Sequence, residues 1–155
     1  MNPELDLSLE RIIRAPRSAI WRAWTDPALF ARWWLPDPIV GRVDALDVRP
    51  GGGLVTQMSM DDGATYTPHM DAVFLIAEPE ERIVFTNALD STWHPATPQP
   101  VAVTGEFTLT EHPDGTLYRV VARHGDPAAR ARHQELGFAE GWGTVADQLI
   151  ALVEG

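Results

Sequence analysis

The sequence contains no cysteine and no lysine. Without cysteine there is no disulfide, no thiolate chemistry and no cysteine-type zinc site, and such a chain suits a reducing cytoplasm, where we expect it. All 12 basic residues are arginine, which we attribute to the codon bias of a GC-rich genome. They face 22 acids, so the formal net charge is −10 and the sequence pI about 4.8. A surface of that sign repels a phosphate backbone or an anionic bilayer, which argues against nucleic acid and membrane as partners. No apolar run approaches the roughly 20 residues of a membrane span. The start MNPELDLSLE carries acids and no cationic, apolar leader, so no signal peptide is expected. Repeats, low-complexity tracts and linkers are also missing, and residues 1–155 read as one domain, long enough to bury about 70% of its unfolded surface.

What is present is organised around the last stretch. Asp126-Pro127 is a helix start, with a side-chain acceptor at the N-cap and proline pre-set for the first turn. Phe138, Trp142, Val145, Leu149 and Leu152 then recur at spacings of four and three, which predicts one long helix over Asp126–Val153 with a buried face. Gly137 and Gly141 lie beside that face. Glycine in mid-helix costs up to about 1 kcal/mol relative to alanine, so two of them imply a close neighbour, either the sheet or a ligand.

Ahead of this helix the pattern is mostly strand. Leu5, Leu7 and Leu9 alternate with polar residues, the period of a half-buried strand. Two short helices follow, one with Ile20, Trp21 and Trp24 on its apolar side and one opened by Asp26-Pro27 with Leu29, Phe30, Trp33 and Trp34. Six strands in meander come next, over Val40–Val48, Leu54–Met60, Tyr66–Ala77, Arg82–Ala88, Val101–Leu109 and Thr116–His124, with turns rich in Gly, Pro and Asp between most of them. Asp90–Pro100 is a loop. The fold class is therefore α+β: a curved antiparallel sheet with one wet face, and one face that only the terminal helix is long enough to cover.

The segments LERIIRAPRSAIWRAWTDPALFARWWLP, VRPGG, PEERIVFT and LGFAEGW, in that order, resemble the activator of heat-shock-protein-90 ATPase homologue-like family of the helix-grip (START-like, SRPBCC) superfamily. The resemblance runs from about Leu5 to Leu152. It implies a seven-stranded antiparallel sheet wrapped around the C-terminal helix, two small helices at one end and a hydrophobic cavity between. Superfamily members bind lipids, hormones and polyketides, and a few are cyclases or hydrolases. The co-chaperones that name the family carry a further N-terminal domain for which 155 residues leave no room. The resemblance thus implies a chaperone partner, and a stress-response role, less than it implies a small ligand.

The residues themselves give a wall and few reactive groups. Trp34, Met58, Met60, His69, Phe85, Val103, Phe107, Tyr118, Leu136, Gly137, Phe138 and Gly141 are the expected ligand-binding set. Trp21 and Trp24 read as packing. No histidine pair has metal-site spacing, and His112 and His133 read as turn and helix-surface residues, so neither metal nor cofactor is expected. No serine stands in a nucleophile context, and Gly51-Gly52-Gly53 lacks the lysine of a phosphate loop. His69 beside Asp71, His124 with the parity of Tyr118, and Tyr118 itself are the side chains that could carry a proton. The leading expectation is binding of a small, mostly apolar molecule between sheet and helix. The rivals are a cyclase or hydrolase using the same space, and an interaction module. A second copy of the chain is an allowed partner.

Overall fold

Consecutive strands joined by tight reversals must lie side by side, and six of them set the frame of this molecule. The computed structural model describes residues 1–155. Strand β1 (Asp6–Ile13) leads to helices α1 (Arg17–Thr25) and α2 (Pro27–Phe30), then to β2 (Val40–Leu46), β3 (Gly53–Ser59), β4 (Thr67–Glu78), β5 (Arg82–Thr86), β6 (Thr104–His112) and β7 (Gly115–Arg123), and finally to α3 (Pro127–Glu135) and α4 (Phe138–Glu154). The seven strands form one antiparallel sheet in the order β1-β7-β6-β5-β4-β3-β2. The first strand pairs with the last, from Asp6 opposite Arg123 to Ile13 opposite Thr116. The chain therefore crosses from one sheet edge to the other between β1 and β2, and α1 and α2 make that crossing.

Alternation puts Phe107 and Leu109 of β6, and Tyr118 and Val120 of β7, on the concave side. There they join Ile20, Trp24, Phe30 and Trp33 from the crossing and Ala146 and Leu149 from α4 in one core. Three bulges interrupt the ladders on the β2–β5 side, where Asp44, His69 and Leu75 are each one residue too many for the opposing strand. A bulge bends and further twists its strand, so this half of the sheet curls toward α4. The arrangement is the helix grip. No helix is long and apolar enough to cross a membrane.

The expected single helix over Asp126–Val153 is two. The Asp126 side chain accepts from the Ala129 N–H at 2.8 Å, as its N-cap position requires, and α3 runs to Glu135. Gly137 then adopts φ +91°, its N–H donates to the Gln134 carbonyl at 3.1 Å, and its own carbonyl accepts the N–H of Gly141 at 2.8 Å. One left-handed residue thus ends α3 and starts α4. Gly137 serves the backbone turn and not a close approach, which corrects its place in the expected binding set. A Cβ added there would meet only the Glu140 carboxylate at 3.4 Å. Replacing Gly137 by alanine therefore costs mainly the left-handed backbone, about 1–2 kcal/mol. Thermal denaturation of Gly137→Ala should show a midpoint lowered by several degrees; an unchanged or raised midpoint would mean that α3 and α4 can straighten into one rod.

Candidate functional site

Between α4 and the concave face lies a recess of about 170 Å³. Its walls are Trp33, Trp34, Leu35 and Pro36 from the segment after α2, His69 and Met70 of β4, Phe85 of β5, Phe107 of β6, Tyr118 and Val120 of β7, and Gly141, Trp142, Val145 and Ala146 of α4. Gly141 leaves it open on the helix side, since a Cβ there would meet no atom within 4 Å. The volume is comparable with the engineered apolar cavity of about 150 Å³ that takes up benzene. A larger depression of about 740 Å³ beside Arg14, Arg17, Glu111 and His112 is open to solvent and polar-walled, without the enclosed apolar surface a small ligand needs.

Three local devices hold these walls. Gln148 of α4 donates its amide hydrogens to the Trp33 carbonyl at 3.1 Å and the Leu35 carbonyl at 2.8 Å, and its carbonyl accepts the Asp37 N–H at 2.9 Å. One side chain thus ties the Trp33–Asp37 segment to the helix. The second device is aromatic packing: Trp34 stacks on Phe30 with centroids 4.6 Å apart, and Trp142 lies parallel to Phe107 at 6.1 Å. The third is the β4 bulge. Thr56 pairs with Met70 and Gln57 with Pro68, so His69 is inserted and both His69 and Met70 face the recess, which regular alternation would forbid.

The polar atoms in this apolar wall are few. The Tyr118 hydroxyl accepts from Trp24 Nε1 at 3.3 Å and is completely enclosed, which pushes its pKa up. His69 Nδ1 lies 2.9 Å from the Thr56 hydroxyl. Burial pulls the His69 imidazole down to about 4, so it is neutral at pH 7. The indole nitrogen of Trp33 donates to the Ala23 carbonyl at 2.9 Å. That of Trp34 is buried with no partner.

Of the expected set, Trp34, His69, Phe85, Phe107, Tyr118 and Gly141 are brought together here. The others are not. Met60 is 76% exposed beyond the end of β3, and Leu136 is 58% exposed at the α3–α4 joint. Met58 is half-buried on β3 but outside the recess. Val103 and Phe138 pack with Leu7 and Ala122 in a separate cluster. Missing from the expected set were Trp33, Leu35, Pro36, Met70, Val120, Trp142, Val145 and Ala146 of the lining, and Gln148 behind it; Val120 has the strand parity of Tyr118 and could have been read, whereas nothing in the sequence marks Gln148.

The expectation for His133 also needs correction, because it is buried and not on a helix surface. Its Nδ1 lies 2.7 Å from Nε2 of His124, whose own Nδ1 lies 2.8 Å from the Leu5 carbonyl. A carbonyl only accepts, so His124 Nδ1 donates to Leu5, and a single hydrogen is shared between His124 Nε2 and His133 Nδ1. The pair ties α3 to the end of β7, packed against Phe138 and Trp142, and takes His124 away from the recess. Burial, and then the neighbouring His124, draw the His133 pKa down to about 4.

These two depressed histidines set an acid limit. The unfolded chain, with ordinary values near 6.5, binds protons that the folded His69 and His133 refuse until about pH 4. Their contribution to stability is full above about pH 6.5 and is lost as pH falls toward 4. Denaturant titrations from pH 7.5 to 4.5 should show this decline, and a His69→Gln/His133→Gln variant should show a flatter one; equal slopes would place the acid sensitivity elsewhere.

The sequence matches the family described as "Activator of Hsp90 ATPase homolog 1-like protein" over residues 14–154. Among solved structures, a protein from Nitrosomonas europaea is similar at 35% identity with a TM-score of 0.89, covering 99% of this chain and 97% of its own. One from Mycobacterium smegmatis is 26% identical with a TM-score of 0.78, covering 97% and 91%. An AHSA1-like protein from Aeromonas hydrophila, at 23% identity and a TM-score of 0.68 over 97% and 92%, shares the fold. No protein of curated function matches. With that match spanning nearly the whole chain, and the sheet, crossing helices and gripped α4 in place, the protein belongs to the activator of Hsp90 ATPase homolog 1-like family.

Proposed function

We propose that the protein binds a small, mostly apolar molecule in the recess between α4 and the sheet. The observation that carries this reading is Gly141: a core helix omits a side chain where Trp34, Phe85, Phe107 and Trp142 surround unfilled space. Filling such a space with protein would stabilise the fold, so leaving it open favours a guest. Burial of apolar area, at about 25 cal/mol per Å², would supply most of the affinity.

Acid–base catalysis in the same space is less well supported. A His69 held near 4 is a feeble base at neutral pH, and Tyr118 is pushed further from ionisation; both are better suited to hydrogen bonding than to proton transfer. The family description points to a chaperone ATPase, but the large apolar side chains left exposed, Met1, Ile12, Met60, Leu75, Trp93 and Leu136, come from separate strands, loops and the N-terminus. They give a docking reading no comparable focus.

Toluene tests the proposal. It should raise the thermal midpoint of the wild-type protein, as any ligand of the native state does. Gly141→Leu should melt no lower than wild type, gaining up to about 1 kcal/mol of helix propensity, yet give no response to toluene. An equal rise in both proteins, or none in the wild type, would defeat the reading; native mass spectrometry of the purified protein would then be expected to show the bare chain mass.

A further inference from the structure

The polar inventory of the recess is one-sided. The Trp34 ring forms part of its wall, and the indole hydrogen on that ring is buried without an acceptor. A buried donor left unpaired is costly enough that native proteins rarely keep one. The Thr56 hydroxyl is buried too, and its one hydrogen-bond partner is His69 Nδ1. Its hydrogen is used only if it donates to that nitrogen, which selects the His69 tautomer protonated on Nε2. The Tyr118 hydroxyl already accepts from Trp24, and no protein group takes its hydrogen. Trp34, His69 and Tyr118 are lining residues, and each therefore keeps an N–H or O–H that no protein group accepts, while the lining contains no carboxylate and no arginine.

Building on the proposed ligand-binding role, we infer that the occupant is an uncharged, single-ring aromatic molecule bearing a carbonyl oxygen, and that this oxygen accepts the Trp34 indole hydrogen. The volume of about 170 Å³ admits one substituted ring. Walls of Trp34, Phe85, Phe107 and Trp142 offer edges and faces to an aromatic guest. An ammonium ligand would find no counter-charge and would leave the donors unpaired. A carboxylate ligand would find no cation, since His69 is neutral. A carbonyl satisfies the donor without bringing a charge into an apolar site.

Acetophenone and ethylbenzene, nearly equal in size, separate the possibilities. Wild-type protein should bind acetophenone at least about tenfold more tightly, the effect of one satisfied buried donor. Trp34→Phe keeps a ring but loses the N–H together with part of the apolar wall, so affinity for both compounds changes, and the preference for acetophenone over ethylbenzene should be erased. In the wild type, acetophenone should also move one indole N–H proton resonance downfield and ethylbenzene should not, a readout that does not require the variant to fold. Equal affinity for the two compounds, or a preference that survives Trp34→Phe, would overturn the inference while leaving ligand binding intact. Binding of neither compound would overturn the ligand-binding proposal and this inference together.

Discussion

A single helix cannot fill the hollow of a curved seven-stranded sheet. Six interstrand spacings of about 4.8 Å make it roughly 29 Å wide, whereas a helix with its side chains is about 10 Å across. The chain fills the remainder with rings from the crossing segment. Trp24 packs against Trp33 at 5.1 Å and Phe30 against Trp33 at 5.2 Å, both edge to face, and Trp24 reaches Phe107 of the sheet at 4.5 Å. Such rings interlock at fixed angles and do not flow into every gap. The recess is the volume that flat, rigid fillers leave beside a helix thinned at Gly141.

Electrostatics follows the same division. The ion pairs lie on the outer surface, where Glu106 of β6 sits between Arg82 at 3.1 Å and Arg123 at 2.9 Å across three strands. Partly solvated pairs of this kind contribute little to stability but keep a strongly acidic surface locally ordered. The interior holds neutral donors instead, and burial draws His69 and His133 below the ordinary histidine range. The low pI and the uncharged recess are therefore compatible features of one molecule, one governing solubility and long-range repulsion, the other the chemistry of what can enter.

Much of this was legible from periodicity and punctuation. Strand alternation found the concave faces of β6 and β7, and the Asp-Pro starts placed α2 and α3, because each is a local signal with a local cause. What failed was whatever depends on breaking a period. Leu136-Gly137 is itself a helix-stop signal, yet the apolar spacing continues on its far side and masks it. Met60 was expected in the wall, but β3 ends at Ser59, where the buried hydroxyl serves the following turn by accepting the Gly63 N–H. His69 was singled out for its place beside Asp71, and only pairing register explains how it and Met70 both arrive at the recess. The His124–His133 contact joins a strand end to a helix across a turn, with the partners nine positions apart, a spacing that no single element's period reveals.

The bulge in β4 has a genetic corollary. His69 is supernumerary in the ladder, so deleting one codon would let Thr56 and Gln57 face consecutive partners in even register while subtracting the imidazole from the wall. Polarity of the interior is thereby tied to chain length at one position. A lineage carrying this sheet could gain or discard that group in a single insertion or deletion event, without first redesigning the strands that frame it.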